Sequence, residues 1–95
     1  MAPGAAWVDG NSQEGEAIVY AGLKRVTVCD FNANDGTAVG IKYATSFLRV
    51  IQVQAPQGGC ADDSVFFGSI TMARFCSGFA GGSFPSRCAA TARFS

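Results

Sequence analysis

The chain has 95 residues, 48% of them apolar and 15% charged, with seven basic residues against seven acidic ones. That length fits one domain at most, and the apolar content is too high for a disordered chain. Balanced charge creates no field to recruit nucleic acid or an anionic membrane, and the lack of histidine excludes Ser-His-Asp and Cys-His chemistry and any histidine-held metal.

Residues 1–16 contain Asp9, Glu14 and Glu16 but no base, and Trp7 and Val8 are their main apolar surface. This stretch reads as a flexible acidic arm outside a single domain of residues 17–95. Trp7, Val8 and Asp9 are candidate partner-binding residues: the indole would fill a pocket on another protein, and the acids would steer it to a basic groove. The alternative is that Ala6–Val8 pairs as the domain's own first strand, with Trp7 in the core.

Ala17–Tyr20 is a short β-prone run. Lys24–Asp30 alternates, with Val26 and Val28 on one face and Arg25, Thr27 and Cys29 on the other. The alternation resumes at Val39, Ile41 and Tyr43. The Asn34-Asp35-Gly36 break between the two runs predicts a β-hairpin, because these residues tolerate positive φ. Phe47–Val53 is apolar on both faces apart from Arg49 and Gln52, the pattern of a central, doubly buried strand. Ala55–Asp63 reads as a loop, Ser64–Phe67 as the start of another strand, and Ser69–Ser77 as a further one. A Gly-rich loop over 78–86 leads into a last strand, Arg87–Phe94. With no helical stripe anywhere, the expected fold is all-β: a small antiparallel β-sandwich of six to eight short strands with two disulfides.

Cys29, Cys60, Cys76 and Cys88 lie 31, 16 and 12 residues apart, without the close pairs that a cysteine zinc site uses as knuckles. An even count in a short Gly-rich chain indicates two disulfides and an oxidising compartment. Of three pairings, Cys29–Cys60 with Cys76–Cys88 is preferred, since the second bond closes a loop rich in Gly, Ser and Pro. No signal peptide and no membrane-length apolar run is present. The opening Met-Ala-Pro-Gly-Ala-Ala resembles a mature secreted chain beyond a small-residue cleavage site.

Asp30, Asn32 and Asn34 occupy positions 1, 3 and 5 of a calcium loop, but the glycine is displaced to Gly36 and Ile41 stands where an acid is needed. A plain turn without metal is therefore expected. Asp62-Asp63 is the one adjacent carboxylate pair, and no nucleophile or acid–base motif accompanies it. The acids of 1–16 contrast with Arg74, Arg87 and Arg93 in the acid-free stretch 64–95, so the arm would meet a basic partner or fold back on its own basic face. Phe66-Phe67, Phe75, Phe79 and Phe84 either roof the sandwich or form an apolar patch for a protein partner, with Phe79 and Phe84 the candidates in the Gly-rich loop.

The run VTVCDFNANDG, then VGIKY, a GC in a loop, FCSG and a final Cys resembles a group of small secreted actinobacterial proteins over residues 24–94. The resemblance implies a two-disulfide β-sandwich. Within the group, one role is the bridging subunit of umbrella-shaped toxin particles, which links a repeat-bearing toxin chain to a lectin-bearing chain. Proteinaceous α-amylase inhibitors share the size and two disulfides, but their Trp-Arg-Tyr turn is absent: Trp7 is followed by Val8 and Asp9. The expectation is a secreted, non-catalytic, monomeric module without cofactor, nucleic-acid partner or membrane insertion. It would bind one or two other secreted proteins as an adaptor or, alternatively, inhibit a secreted hydrolase.

Overall fold

The structure, a computed structural model, describes residues 5–11, 14–31, 36–79 and 84–94. Among these residues there are nine strands and no helix: β1 (Ala5–Asn11), β2 (Gly15–Tyr20), β3 (Arg25–Asp30), β4 (Thr37–Thr45), β5 (Val50–Gln54), β6 (Cys60–Ser64), β7 (Ile70–Phe79), β8 (Arg87–Cys88) and β9 (Ala92–Arg93). They build two antiparallel sheets, one in the order β1-β2-β3-β6, the other β5-β4-β7-β8 with β9 also on β7. The expected sandwich and its two disulfides are present.

Period-two alternation sets which side chains go inside. Ala17 and Val19 of β2, and Val26 and Val28 of β3, are fully buried; they face Val39, Ile41 and Tyr43 of β4 across the gap. Each strand thus turns one apolar stripe inward, and the opposed stripes form the core of the sandwich.

Five expectations are corrected. The segment read as an arm is β1 from Ala5 onward, paired antiparallel to β2 with Trp7 opposite Val19. Trp7 packs against the core, so the boundary at residue 17 falls inside the first hairpin. One large indole on an edge strand buries enough surface to order a segment that composition marks as polar. Residues 1–4 and 12–13 lie outside the described residues.

The hairpin expected around Asn34-Asp35-Gly36 does not form. β3 pairs with β2 and β6, whereas β4 pairs with β5 and β7, so this connection passes from one sheet to the other. The inner stripes of β3 and β4 are buried instead by stacking face to face in one core. Turn residues allow the chain to reverse; they do not decide between pairing and stacking. Residues 32–35, which include two of the candidate calcium ligands, are outside the described residues.

Phe47–Val53 is not a central strand. Only Val50–Gln54 is extended, at the edge of its sheet, with Ile51 and Val53 partly buried against the core and Val50 65% exposed. Its apolar excess lies on the surface. The expected loop 55–63, in turn, contains most of β6, a run with two aspartates and low strand propensity. Its register on β3 places Cys29 opposite Cys60 and bonded to it, with Cα atoms 4.0 Å apart.

At the C-terminal end the expected single strand is two short pairings on β7. Cys76 lies opposite Cys88 and is bonded to it, while Met72 and Ala73 pair with Arg93 and Ala92. Ahead of β8, Phe84 lies against the second sheet. There the Phe84 ring rests on Gly40: a Cβ on Gly40 would fall 2.6 Å from Phe84 Cζ and 2.6 Å from the Val53 carbonyl oxygen.

Candidate functional site: an apolar cleft between two sheet edges

The two sheets do not close on each other at the β5 and β6 edges. Between them, at the end where β4 turns into β5, opens a cleft of about 560 Å³ lined by Phe47, Arg49, Ile51, Val65, Phe66 and Phe67, with Thr45 and Ser64 at its sides. Phe66 is 86% exposed, Phe67 78% and Phe47 65%. Leu48, at 92%, and Val50 continue the apolar surface around the β5 lip. These five side chains expose on the order of 700 Å², near the ~800 Å² each partner contributes to an interface of standard size. Patches above a few hundred Å² are uncommon on monomeric proteins and mark docking sites.

The loops carrying these side chains are held in place. The Ser46 amide donates to the Ser69 carbonyl (2.8 Å), and the Ser69 amide donates back to Ser46 Oγ (3.0 Å). The Val65 amide donates to the Lys24 carbonyl (2.7 Å), and Lys24 Nζ donates to the Gly68 carbonyl (2.6 Å). Gly68 has φ +76°, and a Cβ there would fall 2.8 Å from Phe47 Cδ2, so only glycine permits this close approach of the two loops. The β2–β3 turn, the β4–β5 turn and the 65–69 connection therefore present Phe47, Phe66 and Phe67 as one preformed surface.

Leu48 is the unusual residue. Its φ is +63°, a left-handed conformation that costs a leucine roughly 1 kcal/mol, and its side chain is almost wholly in water. The positive φ serves the turn, but exposing an apolar side chain there does not help the fold. Its amide donates to the Thr45 carbonyl (3.0 Å), and the Thr45 amide donates to the Arg49 carbonyl (2.9 Å), which closes the turn around it.

The candidate partner-binding residues from the sequence are scattered. Trp7 points into the core, Val8 on the opposite face is 40% exposed, and Asp9 caps the Gly10 amide (2.8 Å). They do not form one anchor. Asp9 and Glu14 instead line a second groove, of about 240 Å³, together with Arg87 from β8. The acidic segment thus folds back beside its own basic strand. At that opposite end of the sandwich Phe79 is 68% exposed, whereas Phe84 is partly covered on Gly40. Phe75 is in the core.

Asp62 and Asp63 are separated by the pleat of β6. Asp62 turns outward, accepts a hydrogen bond from Thr27 Oγ1 and lies 3.7 Å from the Arg25 guanidinium, itself stacked 5.0 Å from the Tyr20 ring centre. Asp63 turns inward and accepts from Tyr43 Oη at 2.5 Å, a bond that crosses between the sheets. Burial, and then the Asp63 carboxylate, hold the Tyr43 phenol well above its ordinary pKa. Two carboxylates on opposite faces cannot flank one scissile bond. Among the described residues no group of three or more Cys, Asp or Glu is placed to hold a metal ion.

Comparison of the chain with protein-family models, with curated proteins and with solved structures found no match. Of the residues at the cleft the sequence singles out Phe66-Phe67, and not Phe47, Leu48, Arg49 or Val50. The signal was present, since a run apolar on both faces is either doubly buried or an exposed edge.

Proposed function

We propose that this chain is a secreted, non-catalytic protein-binding module, an adaptor subunit of a secreted toxin-type assembly, with the apolar cleft as its principal docking surface. The observation that carries this reading is the rigidly held cluster of Phe47, Leu48, Phe66 and Phe67, exposed at a cost in solvation that folding alone does not require. Two disulfides in a domain this small fit an oxidising, extracellular environment. The adaptor version is supported by a second exposed aromatic, Phe79, at the far end of the molecule, which leaves room for two partners at once. A second reading, inhibition of a secreted hydrolase, draws on the 65–69 connection, a rigid exposed loop of the kind that can occupy an active site.

Capture experiments from the producing organism's culture medium separate these readings when run with the unaltered chain, with Phe66→Asp/Phe67→Asp and with Phe79→Asp. An adaptor recovers two different proteins, each lost with only one of the variants. One hydrolase, inhibited by the chain and lost only with the 66/67 variant, supports the inhibitor. Unchanged capture by both variants would refute the docking surfaces.

A further inference from the structure

We propose that the cleft takes an extended segment of the partner that adds to β5 as a new outer strand, its cleft-facing side chains apolar except for an acid that meets Arg49. This rests on the protein-binding reading above and specifies its occupant.

The first ground is the edge itself. Among the described residues β5 pairs only with β4, so its other side presents backbone groups that none of these strands pairs. Natural edges are guarded by lysines within the strand, by proline or by bulges; Val50–Gln54 reads VIQVQ, with none of these. The guard is missing on the edge that borders the apolar cleft.

The second ground is register. Along β5 the side chains alternate between the partly buried Ile51 and Val53 and the exposed Val50, Gln52 and Gln54. A strand laid beside it alternates likewise, sending every second side chain toward Phe47 and Phe66 and the rest outward. Main-chain hydrogen bonds then supply affinity, and the cleft supplies the choice of side chain.

The third ground is charge. Among the described residues, Arg49 is the one charged residue in the cleft lining, and no carboxylate lies within ion-pair distance of it. Lys24 adds a second positive charge where it ties down Gly68. Asp63, on the inward side of β6, is occupied by the Tyr43 hydroxyl and by the Ser64 amide. The occupant therefore carries an acid on the same face as its apolar residues, where Arg49 can pair with it. A second β5 is a poor candidate: residues 36–59 contain no acid, and self-pairing would bring in another Arg49.

The test uses the full chain and three short capped peptides followed by fluorescence anisotropy and by amide chemical shifts. One sets phenylalanine or isoleucine at every second position with a glutamate at the end of that same face, one has lysine in place of the glutamate, and one keeps the glutamate but is N-methylated along one backbone edge. The glutamate peptide is expected to bind at least about tenfold more tightly than either control, with shifts centred on β5, and Arg49→Glu should reverse the preference between glutamate and lysine. Equal binding of all three, no binding of any, or shifts centred on β1 would overturn strand addition. A concentration-dependent dimer abolished by Val50→Lys would overturn it in favour of a second copy. If the Phe66→Asp/Phe67→Asp variant loses its partner while no peptide binds, the docking surface stands and only strand addition falls.

Discussion

Replacing Trp7 by alanine tests whether the acidic N-terminal segment belongs to the fold. Trp7 is partly buried against the core, opposite the fully buried Val19. A Trp side chain buries 150–250 Å² when enclosed, and at about 25 cal/mol per Å² the covered part of this one contributes roughly 3 kcal/mol. That is somewhat below the usual cost of truncating a wholly buried aromatic, because β1 is an edge strand and can relax. For a domain of this size, each kcal/mol moves Tm by about 4–8 °C. Trp7→Ala should therefore lower Tm by roughly 15 °C, with both disulfides intact. The readout is thermal melting by circular dichroism. The fluorescence of the single tryptophan supplies an internal check, since its emission should be blue-shifted in the folded protein and move to the red on unfolding. A Tm unchanged within a degree or two, with emission already that of a solvated indole, would show that residues 5–11 are not held by the core and would return the segment to the role of a free arm.

Two further outcomes follow from the same packing. The Tyr43 phenol is held protonated in the folded state, with its pKa above the unfolded value of about 10; its stabilisation is complete below pH 10 and is lost above it by about 1.4 kcal/mol per pH unit. Urea unfolding between pH 9 and 11 should show that decline, and Tyr43→Phe should flatten it; an unchanged slope in the variant would place the titration elsewhere. Replacing Cys76 and Cys88 together by serine removes a bond of sequence separation 12 and should cost about 3 kcal/mol. Denaturant midpoints measure it, and a loss below about 1 kcal/mol would mean that the Phe84–Gly40 packing holds this segment unaided.

The class of fold was legible in the sequence because it depends on local rules. Alternation at Val26/Val28 and at Val39/Ile41/Tyr43 assigns an inner face whatever the partner strand is. Four cysteines without knuckle spacing, two of them closing a Gly-rich loop, point to the pairing that the strands adopt. What the sequence could not settle is who neighbours whom. The same turn chemistry at 34–36 serves a hairpin or a crossing between sheets, and only the stacking of β3 over β4 chooses. Aspartates 62 and 63 are adjacent in the chain yet opposite in space, because the pleat of β6 divides them. Phe47–Val53 is equally apolar whether it lies at the centre of a sheet or at its rim; the pairing of β4 with β7 on its other side puts β5 at the rim. That placement turns surplus hydrophobic surface into a cleft. The candidate site is thus a property of edges, and edges exist only once the sheets are assembled.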